Sequence, residues 1–353
     1  MARSGGLEEE YVRRRIYVAN SSLSSDRYCL PHLLRWHGSC GWARTRRGGI
    51  QCRRLWGAGR RAQASPIPPA RDPSAAYPDR QTVWGEPHSA AVARRADREG
   101  QIDTCLAERV PLLVLFWGDP RPYVAEAHLR DTKVFIQVGS VEEATAAADA
   151  GVDAIIVQGV EAGGHVKSLI SLSTLVPTVG EAVQPVPVLA AGGIANGRGV
   201  VAALSLGAQA VSMGTRFLCS TEACATRAYK ERVVRSTAAD TGYTTLFDLG
   251  WPDTPHRVLR NTAFAEWETA GRPASGQRPG EGTIVGTISL AGTTMEVPKY
   301  GAMIPITSFS GDMESIALLA GESCSLVHAI TPAAQIVQDV VREAEEVIED
   351  MKR

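Results

Sequence analysis

The chain has 353 residues, a formal net charge of −1, 44% hydrophobic residues and 21% charged residues. That length allows one large domain or two ordinary ones, either able to bury a sizeable core. No apolar run approaches the roughly 20 residues that span a bilayer, and seven cysteines, an odd number, make no disulfide scaffold and fit a reducing cytoplasm.

The near-zero charge conceals a division. Residues 1–100 carry 18 Arg, no Lys and 9 acidic residues, a balance of +9, against −10 for residues 101–353. The first hundred residues show no sustained period of 3.6 or 2. Glu8, Glu9 and Glu10 argue against a transit peptide. A basic arm for nucleic acid would use Lys as well as Arg, so no nucleic-acid partner is expected. Cys29, His32, His37, Cys40 and Cys52 match no standard zinc spacing, and no metal is expected. Arg, Trp, Cys and Pro without Lys is instead what a GC-rich gene yields when translated in a shifted frame. The code tests this on paper. Asp79–Ser89 (DRQTVWGEPHS) permits TDRPFGVNLIL in the neighbouring frame, with the shifted Gly forced by Trp84-Gly85. Ala43–Arg60 and Pro31–Gly38 permit helix-like and strand-like segments in that same frame. Residues 1–96 are therefore read as a poorly structured, out-of-frame region.

From residue 97 a regular alternation begins. Strands are expected at Leu112–Trp117, Lys133–Val138, Asp153–Gln158, Val186–Ala190 and Gln209–Met213. Helices are expected at Val141–Ala150, with Ser140 and Glu143 as a capping box, and at Ser168–Val183, where Pro177 is a candidate break. Two more are expected at Gly199–Leu206 and Glu222–Ser236. Strand, helix, strand at 25–30 residues per unit means parallel crossovers. A (β/α)8 TIM barrel needs eight strands; five are visible over 97–250, and the other three fall in the first hundred residues. The barrel is thus incomplete in the frame as translated. Residues 251–353 read as an α+β elaboration packed on it. Helices are expected there at Pro255–Trp267, Asp312–Ala320 and Pro332–Arg353, the last with an apolar stripe, and extended chain at Ile284–Val297.

Three segments at strand carboxyl ends carry candidate chemistry. In Gln158–His165 (QGVEAGGH), Gly163 and Gly164 allow close backbone approach to a flat ligand, and His165 can move a proton near neutral pH. Spacing alone leaves an ordinary loop histidine open. The turns Ala190–Ile194, with Gly192 and Gly193, and Ser212–Thr215, with Met213 and Gly214, can aim backbone N–H groups at one phosphate; a ligand-free tight turn remains the alternative. Arg216 and Lys167 are rim cations with no assigned role. Cys219 and Cys224 read as structural, and Lys299-Tyr300 as a pocket-lining candidate.

From about Gln101 to the C-terminus the chain resembles the nitronate monooxygenase (2-nitropropane dioxygenase) family. The resemblance rests on QGVEAGGH, AAGGIANGRG (Ala190–Gly199), MGTRF (Met213–Phe217), WPDTPHRVLRN (Trp251–Asn261) and a Gly311-Asp312…Ala320-Gly321 tail. It implies an FMN-binding TIM barrel. Gln158 and Gly163 would contact the flavin, and Gly193 and Ser212, Met213, Gly214 and Thr215 would bind its phosphate by backbone groups. His165 would be the catalytic base toward a nitroalkane or nitronate, with O2 as oxidant and a carbonyl compound and nitrite as products. An FMN-dependent enoyl-acyl-carrier-protein or quinone reductase is the alternative within the superfamily, and an inactive remnant the alternative outside it. The family's opening strand and the Asn after its third strand are absent from the frame as translated, which predicts weak flavin binding.

Overall fold

The computed structural model describes Gly100, residues 102–252, 254–290 and 292–353, together with the backbone of Tyr17–Val18 (β1) and Leu34–Arg35 (β2), which pair antiparallel. The shifted-frame segments and the zinc candidates lie otherwise outside the described residues. The described residues from 105 to 353 belong to one compact unit, which holds the parallel sheet, the elaboration and the candidate site.

Five parallel strands run in the order β3 (Leu112–Phe116), β4 (Lys133–Val138), β5 (Ala154–Gln158), β7 (Val188–Ala191) and β8 (Ala210–Ser212). β6 is the two-residue strand Gly164–His165. Spatial order follows chain order without reversal, as in a barrel arc and unlike a doubly wound sheet, whose order switches direction. β5, β7 and β8 are buried throughout, as expected of strands covered on both faces.

The helices between them are α1 (Arg121–Leu129), α2 (Val141–Asp149), α3 (Leu172–Ala182) and α4 (Gly197–Ser205). Ser140 caps α2 by accepting from the Glu143 N–H at 3.2 Å. Glu143 reaches past the cap residue to the Gly139 N–H, at 2.8 Å, so the box closes one residue earlier than its usual form. Pro177 sits inside α3 without ending it. That helix starts four residues later than the apolar spacing suggests, and Leu169 stands exposed before it. Asn196 caps α4 through the Gly199 N–H at 3.0 Å. Beyond β8 come the short α5 (Thr215–Leu218) and α6 (Arg227–Arg235), where Thr226 caps the Tyr229 N–H.

The elaboration departs from its sequence pattern twice. Pro255–Trp267 is not one helix. His256–Leu259 is a strand, β10, hydrogen-bonded between β9 (Thr241–Thr244) and β6. A helix, α7 (Thr262–Thr269), follows it, with Asn261 accepting from the Phe264 N–H at 3.1 Å. Asp312–Ala320 is not helical. Asp312 draws its carboxylate into a local turn with the Glu314 N–H and Ser315 Oγ. The chain then runs extended beside β10, with the Leu259 N–H donating to the Leu318 carbonyl. Ile284–Val297 forms a hairpin, β11 (Ile284–Leu290) and β12 (Thr293–Pro298), flanked by β13 (Ser310–Gly311).

The terminal helix α8 (Ala333–Met351) buries Ile336, Val340 and Ala344, each large aliphatic contributing about 1.5–3 kcal/mol. It crosses α4 at Gly197, where a Cβ would lie 2.3 Å from the Ala344 nitrogen. Glu343 accepts from the Gly197 N–H at 2.9 Å.

Candidate active site

Parallel register aligns the strand ends. Gln158 is the Cα partner of Ala191, and Ala191 of Ser212. The residues after these three ends line one pocket, which includes Gln137, Gln158, Gly163, Gly192, Gly193, Ser212, Gly214, Thr215 and Ser323. Gly192 and Gly193 take positive φ of 107° and 70°, the left-handed region that favours glycine. A Cβ on Gly192 would press on Ala162 at 3.1 Å. The enclosed cradle measures about 20 Å³ and shares Gly192, Gly193, Ile194 and Ser323 with a wider groove of about 470 Å³. Two glycine-rich turns and Ser/Thr hydroxyls at successive strand ends make a donor set suited to a phosphate.

Some expected contacts have other partners. Gly163 faces protein, not open space: a Cβ there would lie 2.1 Å from the Gly321 nitrogen. Thr215 Oγ1 accepts from the Gly321 N–H at 2.9 Å. Met213 lies in the core. Gly164, at φ 77°, has only Leu319 Cδ1 nearby among the described residues, 3.9 Å from a hypothetical Cβ. Arg216 donates to the Ala329 carbonyl and Thr331 Oγ1. Lys299 pairs with Glu266 and the buried Tyr300 donates to the Pro279 carbonyl at 2.9 Å, so this dipeptide pins the elaboration rather than lining a pocket.

His165 is the best-fixed of the candidates. Gln158 Nε2 donates to its carbonyl at 2.8 Å, and Gln158 Oε1 accepts from the Lys167 N–H at 3.4 Å. Val166 donates to the Pro255 carbonyl, and Tyr243 Oη donates to the Val166 carbonyl. The strand pairing sets His165 opposite His256. His256 Nδ1 lies 2.9 Å from the Thr254 carbonyl, and its Nε2 accepts from the Phe247 N–H at 3.2 Å. A carbonyl can only accept, so Nδ1 carries the proton and His256 is neutral. Burial pushes the His165 pKa down to about 4, aided by the nearby His256; burial likewise takes His256 to about 4. His165 is therefore a neutral imidazole at pH 7, able to accept a proton.

Two aromatic residues that sequence reasoning did not single out enclose it. Trp251 lies 4.5 Å from His165 between ring centroids, tilted 36°, and Trp117 stands edge-on at 6.2 Å. Trp117 follows β3 directly, so its position at a strand end was the available signal. Lys167 pairs with Glu143 and lies over the Trp117 ring, 5.4 Å from its centroid.

Arg257 ties the elaboration to the site. It donates to the Val160 carbonyl and pairs with Glu322 at 3.1 Å. Among the described residues there is no group of His, Cys, Asp and Glu fit to hold a metal ion, and no helix long and apolar enough to cross a membrane.

A family profile described as nitronate monooxygenase matches residues 69–343, starting inside the stretch 1–96. A nitronate monooxygenase, npaC, of Metarhizium robertsii is 42% identical over 152 residues, 39% of this chain and 43% of the relative. The chain thus spans less than half the length of the curated relatives it matches. Among solved structures, FabK from Thermotoga maritima is 30% identical, covering 72% of this chain and 74% of its own, with a TM-score of 0.56. A nitroalkane oxidase from Streptomyces ansochromogenes is 28% identical, covering 72% and 70%, with a TM-score of 0.57.

Proposed function

The chain belongs to the nitronate monooxygenase family, and from that membership we propose that it is an FMN-dependent enzyme oxidising nitronates or nitroalkanes with O2 to a carbonyl compound and nitrite. One observation carries the reading. A neutral, half-buried His165 on β6 is held by Gln158, which lines one pocket with two glycine-rich turns that have the donor chemistry of a phosphate cradle.

The residues fit a flavin phosphate. Backbone N–H groups of the Gly192-Gly193 turn and of the Ser212–Thr215 turn would hold it, as glycine-rich turns after the last strands of barrels do. The chemistry bound FMN supplies is uptake of two electrons from the substrate and their return to O2. The chain's own work is proton transfer and orientation. His165 accepts the α-proton of a neutral nitroalkane, which a protonated imidazole could not do. Gln158 holds the His165 backbone, and His256, neutral and doubly hydrogen-bonded, holds the strand opposite. Trp117 and Trp251 pack against the imidazole. A substrate that enters already as the nitronate anion needs no base, so His165 then orients rather than deprotonates.

The test is oxygen consumption by the full chain supplied with FMN, given nitroethane or its nitronate. The expected result is nitrite and acetaldehyde in equal amounts. Oxygen uptake without nitrite, or no uptake with either form, contradicts the reading.

A further inference from the structure

Trp117 is built in a way that packing alone does not explain. It has φ 69°, a left-handed backbone that a bulky side chain rarely adopts. Its indole Nε1 is buried and has no hydrogen-bond partner among the described residues. Buried donors are nearly always paired, and leaving one unpaired is costly. Unusual backbone and an orphan donor at one residue point to a ligand rather than to the core.

The neighbours say which ligand. The Trp117 ring stands edge-on to both His165 and Trp251, 6.2 and 6.1 Å away at 74° to each. His165 and Trp251 face each other at 4.5 Å. The indole therefore belongs to the same small aromatic cluster as the imidazole, and the Lys167 ammonium lies 5.4 Å from its ring centroid. Among the described residues no carboxylate accepts from the indole N–H, and Glu143 is engaged by Lys167 and the Gly139 N–H. A buried, unpartnered N–H in one aromatic cluster with a neutral imidazole suits an oxygen of a small, planar oxyanion.

We propose that Trp117 is a specificity-determining residue whose indole N–H donates to an oxygen of the substrate's nitro or nitronate group. The assignment rests on the proposed oxidation of nitronates or nitroalkanes. The α-carbon of the substrate would then face His165 while one oxygen is held by Trp117, which fixes both ends of the reacting group. Because charge is greater on the nitronate oxygens than on those of the neutral nitro group, the bond favours the anion.

Trp117→Phe keeps a ring and removes the donor; Trp117→His keeps a ring N–H. In the full chain supplied with FMN, Trp117→Phe should raise KM for ethyl nitronate tenfold or more, roughly the effect of one lost hydrogen bond to a charged group. The expected change in kcat is below about threefold, and Trp117→His should recover most of the loss. A Trp117→Phe KM within twofold of the unmodified chain overturns the assignment. Where Trp117→Phe does not fold, the unmodified chain labelled with 15N in its indoles gives the second readout. Added anaerobically, ethyl nitronate should shift downfield the indole proton signal that is missing in Trp117→His, and an unmoved signal overturns the proposal. Should the unmodified chain neither bind nor oxidise the nitronate, the function fails and this assignment falls with it. Binding and oxidation that ignore the Trp117 substitutions sink the assignment alone.

Discussion

Gln158 spends both ends of its side-chain amide on the loop that carries His165, donating to the His165 carbonyl at 2.8 Å and accepting from the Lys167 N–H at 3.4 Å. The glutamine is buried, so both bonds are shielded from water. Gln158→Leu removes them at similar volume and leaves a buried carbonyl and N–H without that partner. The expected cost is about 1–3 kcal/mol in stability. Activity should fall about tenfold or more, since small displacements of a catalytic group are expensive. Denaturant melts and steady-state kinetics on the same preparation check this; a stable variant with unchanged kcat/KM contradicts the positioning role.

Acid should destabilise the protein through two histidines. In the unfolded chain His165 and His256 titrate near pH 6.5, and in the folded chain near 4. Below pH 6.5 the unfolded state takes up protons that the folded state refuses. Stability is therefore lost as pH falls from about 6.5 to about 4, and each histidine contributes up to roughly 3 kcal/mol of that loss. Melting temperature followed from pH 7 to 5 should drop, and His165→Asn should flatten the curve. An equally steep curve for the variant contradicts the assignment.

Glycines at the site separate into those the fold requires and those it tolerates. A Cβ on Gly163 would collide with backbone of Gly321 and Ala320 at 2.1–2.4 Å, whereas one on Gly180, within α3, would meet nothing within 4 Å among the described residues beyond its chain neighbours and its own helix backbone. Gly163→Ala should destabilise by about 1–3 kcal/mol or more. Gly180→Ala should stabilise by about 0.5–1 kcal/mol through helix propensity. Thermal melts of the pair decide; equal effects would mean that the chain around Gly321 yields.

The loop after α7 is held by a buried ion cluster. Arg278 pairs with Asp248 at 2.6 Å and with Glu281, and donates to the Leu246 carbonyl. Arg278→Met strands two carboxylates that are nearly buried, at an expected cost of about 3–5 kcal/mol. Chemical denaturation measures it, and a loss under about 1 kcal/mol would show that solvent reaches the carboxylates.

The parallel strands were legible because their apolar runs are continuous and punctuated by turn residues; Lys133–Val138 matches to the residue. The cap Ser140 was written in its residue type and the Glu three residues on, whereas the Asn196 cap, which lies ahead of the expected helix start at Gly199, was not read; the candidate cradle glycines stood out by occurring twice at one βα spacing. The elaboration was less legible. HRVL at 256–259 has no alternation to mark it as a strand, and its pairing with Gly164–His165 is a contact across about 90 residues that no local pattern encodes. Asp312–Ala320 carries helical apolar spacing, but the Asp312 turn and pairing with β10 override it. Within the candidate site, His165 was singled out from its Gly-Gly-His context. His256 and Trp251 stood in the WPDTPHRVLRN motif without a role, because only the fold brings them against His165. Gly163 lines the pocket and is also required by the Gly321 and Ala320 backbone, two demands that read alike in sequence.

The role of His165 is tested most directly by comparing two forms of one substrate in His165→Asn. For a general base, kcat/KM with neutral nitroethane should fall about 10²–10⁴-fold, while kcat/KM with ethyl nitronate, which has no α-proton to lose, should fall about tenfold or less. Equal losses with both forms, or none with the neutral form, would contradict the assignment of His165 as the base.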